Sequence, residues 1–211
     1  MIQDEHEASL KTLQDIRSIM DRSARFISLS GWSGIWAGIT GLTGSYIAYT
    51  WLQQAQPAET NDHDSLVTRF VLLALAILFV ALAGGIYFTW RKARKDGGQL
   101  WNNASKRMVA QMMVPLIAGG VFVLSFLHDG HEVYAAPVCL AFYGLALING
   151  SKYTLSDIKY LGLCEVTLGC ISLFLPGYGL ILWAVGFGVM HILYGIIMWN
   201  KYDKNNRQAT T

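Results

Sequence analysis

Apolar residues along this 211-residue chain fall into long runs separated by short polar segments. The runs cover residues 26–52, 66–90, 108–127, 133–148, 158–175 and 180–199. A bilayer core takes about 20 helical residues to cross, so the pattern predicts six transmembrane helices. A soluble bundle would need a charged face on each helix, and these runs carry none. The expected fold class is an all-α membrane protein, a six-helix bundle. Residues 1–25 follow a different rule: Leu10, Leu13, Ile16, Met20, Ala24 and Ile27 recur at spacings of three and four, the mark of an amphipathic helix. Glu7 with Lys11 and Asp21 with Arg25 support it as i,i+4 pairs. This segment reads as an interfacial or cytosolic helix rather than a signal peptide. A cytosolic protein partner is a second use for its apolar face. Residues 200–211 read as a polar tail.

Small residues form their own pattern inside the runs. Ser30, Gly34, Ala37, Gly41, Ser45 and Ala48 line one face of the first span. Such a stripe lets helix backbones approach closely in lipid. Its partner is either another helix of the chain or the first span of a second copy, which would make a homo-oligomer. Pro115 in the third span predicts a kink.

The richest stretch is the last hairpin, where Pro176-Gly177-Tyr178-Gly179 joins two apolar runs. Each run holds one ionisable residue, Glu165 in the first and His191 in the second. Such groups are costly in lipid and turn toward protein or water. Stepping by three and four from Glu165 gives Gly162, Gly169 and Ser172; from His191 it gives Ala184, Gly188 and Gly195. In an antiparallel hairpin, facing residues share one index sum, and these two stripes match along their length. The register predicts that they mate, with Glu165 and His191 at one depth. Tyr143 of the fourth span falls at a similar depth, a third candidate member of a proton or ligand site. The pair has two readings. One is a packing device, and the other a proton relay or ligand anchor.

Composition agrees with the membrane class: 53% of residues are hydrophobic and only 14% charged. The net charge of +2 says little, but its placement decides orientation. Fifteen of the sixteen Lys and Arg fall in the N-terminal segment, in residues 91–107, around 152–159 and in the tail. The exception, Arg69, sits at a span boundary. By the positive-inside rule both termini are cytoplasmic. Residues 91–107 read as the longest internal loop, a topology determinant facing anionic lipid and too short for nucleic-acid binding. Cys139, Cys164 and Cys170 lie inside apolar runs as packing residues. The outer loops carry His63, His128 and His131 beside Asp129 and Glu132. Those five residues are a metal alternative for external Zn²⁺ or Cu²⁺, against solvated turns as the plainer reading. No cofactor is expected otherwise.

The segment from Leu145 to Asp203 carries Ser151-Lys152-Tyr153-Thr154, the Pro176–Gly179 turn, Gly186-Phe187-Gly188, His191 and Tyr194-Gly195. In these motifs the chain resembles a family of uncharacterised bacterial polytopic inner-membrane proteins. The resemblance implies a bacterial inner-membrane location and no particular chemistry. No nucleophile elbow, zincin pair or P-loop occurs. Three functions remain in order: a non-catalytic interaction or sensory component, a small transporter or channel using the Glu165–His191 pair, and an intramembrane metal-dependent enzyme.

Overall fold

The computed structural model describes residues 12, 29–54, 60–97 and 100–204, with the side chains of 60–64 outside that description. Among the described residues there is no strand. Within those residues six long helices follow one another: α1 (Gly31–Gln54), α2 (Thr60–Lys95), α3 (Asn103–His128), α4 (Ala135–Gly150), α5 (Asp157–Phe174) and α6 (Pro176–Lys204). Four are long and apolar enough to cross a membrane: α2, α3, α4 with its flanking turns, and α6. α1 is diluted by glycine, serine and threonine, and the 18 residues of α5 include Asp157, Lys159 and Glu165. The amphipathic helix expected over residues 1–25 lies outside the described residues, apart from Thr12.

The helix ends have local causes. Asn102 caps α3 by accepting from the Ser105 amide, while the Ser105 hydroxyl accepts from the Asn102 amide, a reciprocal capping box. At the other end Gly130 takes φ +70°, His131 N–H donates to Phe126 O at 2.7 Å, and Gly130 N–H donates to Leu127 O. That is a Schellman stop, which a left-handed glycine makes cheap. Pro176 has no amide to continue α5 and opens the first turn of α6.

The helices pack in the order α2, α1, α6, then α5 and α4, then α3. α6 joins the α1–α2 pair to the other three. Its seam with α1 is made of backbone. A methyl group on Gly195 would lie 2.6 Å from Ile35 N, and one on Gly41 would lie 2.6 Å from Phe187 O. The first-span stripe thus finds its partner, α6, within the same chain.

Two sequence expectations are corrected. The small faces of α5 and α6 do not mate with each other. A methyl on Gly162 would meet Gly144 O at 2.7 Å, and one on Gly169 would meet Ala141 N at 2.7 Å, so the small face of α5 packs on α4. Gly188 and Gly195 face α1 instead, against Leu42 and Ile35. Matching index sums identify which stripes could face each other, but a helix with three neighbours has three such options. The second correction concerns residues 91–107. Arg91 to Lys95 continue α2, and Lys106 and Arg107 belong to α3, so the connection is short. Likewise α6 carries on through Asn200 to Lys204.

One end of the bundle is tied by charge. Asp203 near the end of α6 accepts from Gly31 N–H at 3.1 Å and from the Ser30 hydroxyl at 3.3 Å, and pairs with Lys92 at the end of α2. Lys92 also donates to Leu29 O at 2.9 Å. Close by, Asp157 at the head of α5 accepts from Lys201 at 3.0 Å and from the Tyr202 hydroxyl at 2.6 Å. A small apolar cluster of Leu147, Leu155, Ile158, Leu161 and Met198 packs between these helices.

Candidate functional site

Glu165, near the middle of α5, has 0% of its surface exposed, and His191 on α6 only 5%. Their nearest atoms, Glu165 Oε1 and His191 Nδ1, are 3.3 Å apart. Tyr143 on α4 completes a trio: its hydroxyl lies 2.8 Å from His191 Nε2. The two residues singled out on the hairpin and the third singled out by depth are therefore side by side, at the junction of α4, α5 and α6.

Why they can meet is local. α6 contains a π-helical turn, Ala184–Met190, just before His191. Such turns often mark functional places in a helix. Within it Gly186 lies against Glu165: a methyl there would collide with Oε2 and approach Leu140. Gly186 also offers its carbonyl to His191 Nδ1 at 3.0 Å. Aromatic rings close the remaining sides. Phe187 stacks on His191 at 5.8 Å between centroids and meets Tyr143 and Trp183 at 4.8 Å.

The hydrogen-bond inventory is uneven. His191 uses both ring nitrogens. Both carboxyl oxygens of Glu165 are buried with no hydrogen-bond partner. A buried polar group left so is costly and asks for an explanation. Ser172 Oγ is buried and unpartnered as well. It sits two helical turns further along α5, near Gly179, and apart from the trio.

One imidazole and one carboxylate fall short of the three or four protein ligands a zinc site takes. Among the described residues no three His, Cys, Asp or Glu side chains gather for a metal. Of the outer-loop candidates, the structure brings together His128 and Asp129, whose Nδ1 and Oδ1 are 3.0 Å apart in an exposed position. His131 lies beside the Tyr134 ring at 6.4 Å. Glu132 opens the short turn before α4. The side chain of His63 is outside the described residues.

Sequence reasoning missed the ties at the charged end. Asp203, Lys92 and Gly31 are far apart in the chain, and no motif links them. Asp157 carries a clear electrostatic signature there. Burial pushes its carboxyl up, but hydrogen bonds from Tyr202 and Lys201 outweigh this and hold it below its ordinary value. Comparison with protein-family models, with curated proteins and with solved structures finds no match.

Proposed function

We propose that the chain is an integral protein of the bacterial inner membrane with six spans and both termini in the cytoplasm. It works as a small non-catalytic interaction or sensory component, and Glu165, His191 and Tyr143 lock its interior. Four apolar helices support a membrane setting. α1 and α5 serve as the two further spans because their glycines and Glu165 are covered by neighbouring helices rather than by lipid, while Asp157 and Lys159 stand at the head of α5. The orientation rests on the basic residues, which gather where α1 and α5 begin and α2 and α6 end. The cytoplasmic face carries the basic end of α2. The N-terminal segment adds an apolar face for a protein partner or the bilayer surface. Self-association through the first span would use its other face, where Ile39, Tyr46 and Tyr49 are exposed.

The observation that carries this reading is the closure around Glu165. Its carboxyl has no exposed surface and is hemmed in by Gly186, Leu140 and His191. A group so enclosed suits a lock between helices better than an open substrate path. The test is flux through proteoliposomes loaded with a pH-reporting dye. Wild-type protein is expected to pass no more protons than empty vesicles, while Glu165→Gln lowers the unfolding temperature. A steady flux that Glu165→Gln abolishes, in protein that still folds, would replace this reading with the transporter.

A further inference from the structure

The trio is not isolated within α6. The same short stretch of that helix presents one side to Glu165 and the other to α1. Gly186 and His191 face the carboxyl. Between and beside them, the carbonyl of Gly188 would lie 2.6 Å from a methyl on Gly38, and the carbonyl of His191 would lie 3.2 Å from one on Gly34. Two backbones in such contact cannot move independently, because packed interiors have no slack to absorb a shift.

We propose that Glu165 and His191 form a single proton-binding site whose occupancy is read out at the α1–α6 seam, through the π-helical turn Ala184–Met190. This rests on the lock described above and names what the sensory component senses: the ligand is the proton, bound and released without being carried across.

The hydrogen-bond partners present serve a neutral or a protonated ring, and the pull between Nδ1, the Gly186 carbonyl and Glu165 Oε1 differs between the two states. The Gly186 carbonyl can only accept, so Nδ1 carries a hydrogen toward it. The Tyr143 hydroxyl can donate or accept. With a neutral ring, Tyr143 donates to Nε2. With a protonated ring, Nε2 donates to Tyr143 and Nδ1 keeps its hydrogen on Gly186 O at 3.0 Å, with the charge of Glu165 Oε1 3.3 Å from the same nitrogen. The acid–imidazole and carboxylate–imidazolium forms of the pair carry the same net charge. A proton taken up from solvent onto the carboxylate–imidazolium form gives a carboxylic acid beside an imidazolium, one charge more positive. That change falls on a carboxyl with no other hydrogen-bond partner and on a ring bonded to the turn that touches α1.

The surroundings keep the signal specific. α4 supplies Tyr143 and α5 supplies Glu165. Of the other titratable groups on these helices, Cys164 of α5 and Tyr194 of α6 meet each other at 4.0 Å, and Cys139 of α4 is a half-buried thiol. α1 has no charged residue along Gly31–Gln54, and its tyrosines, Tyr46 and Tyr49, are exposed. A proton at the pair therefore meets no competing charge from the seam side.

The experiment is a pH titration of the full chain in lipid nanodiscs, followed two ways. Infrared difference spectra read the carboxylic-acid band of Glu165, assigned by its loss in Glu165→Gln. Spin labels at Tyr46→Cys of α1 and Phe174→Cys of α5, with the three native cysteines replaced by alanine, read the distance across the bundle. The expected result is one carboxyl titration and a distance change with the same midpoint. Both should move together in Tyr143→Phe, which keeps the carboxyl and folds independently of the fate of Glu165→Gln. A carboxyl band that does not titrate overturns the proton site, and a titration with no distance change overturns the readout. In either case the lock reading stands unless Glu165→Gln also leaves the unfolding temperature untouched.

Discussion

α2 and α5 are opposites. α2 is the longest helix, 36 residues, and none of its most apolar 18-residue window is buried. α5 has 18 residues and three charged ones, and it buries Glu165 completely. In a water-soluble protein the order would be reversed, with the apolar helix inside. In the membrane setting proposed above, the solvent for the middle of the bundle is lipid, so apolarity belongs on the periphery. The interior is left to glycine backbones and paired polar groups. α1 follows the same logic as α5: its glycines face α6 and α2, and it too is less apolar than its position in a membrane bundle would suggest.

The sharpest way to break this comparison is to put a carboxylate into α2. Leu78→Asp places a charge on an exposed position of its middle. It is expected to cost about 3 kcal/mol of insertion free energy, read as a fall in the membrane-inserted fraction, whereas wild-type α5 carries Glu165 without that loss. Equal insertion of Leu78→Asp and wild type would mean that α2 does not face lipid.

Glycines provide the next contrast. Gly195→Val forces its side chain onto the backbone of Ile35, at a cost of about 1–3 kcal/mol in thermal unfolding. Gly85→Val on α2 meets nothing within 4 Å and is expected to stay within about 0.5 kcal/mol of wild type. At the charged end, Asp203→Asn weakens the ties to Lys92, Ser30 and Gly31 together. The loss expected is about 1 kcal/mol, the scale of a helix cap, and it should be seen first as faster amide exchange at the start of α1.

The smallest effect concerns pH. The folded protein holds the Asp157 carboxyl below its ordinary value, so ionised Asp157 favours the fold. That contribution is complete above the unfolded carboxylate value of about 3.9 and is lost as pH falls through the lower folded value. Asp157→Asn should therefore flatten the acid limb of the stability curve and leave its alkaline limb unchanged. An unchanged acid limb would show that the bonds from Lys201 and Tyr202 carry no net stability.

Much of this was legible in the chain. Apolar runs located the six helices, and α3 and α5 end where a left-handed glycine and a proline stop them. The meeting of Glu165 with His191 followed from their positions around an antiparallel hairpin, and Tyr143 from its depth. What failed was partner choice. A glycine stripe states that some backbone comes close, but not which one. The faces holding Gly162 and Gly188 went to α4 and α1 instead of to each other. The ties of Asp203 left no trace in spacing, since a side chain capping a helix more than 170 residues away has no local signature. Basic residues assigned to a loop extend α2, because the hydrophobic run ends near Trp90 while the helix itself continues to Lys95.

The central claim, that Glu165 and His191 act as one interior lock, is tested most directly by a double-mutant cycle. Unfolding free energies would be measured in lipid for wild type, Glu165→Gln, His191→Asn and the double variant. The account predicts a coupling of about 1 kcal/mol, within the range of polar pairs between membrane helices, so that the double variant loses less than the two single variants combined. Single losses that simply add would contradict it and leave the two residues as neighbours without a shared role.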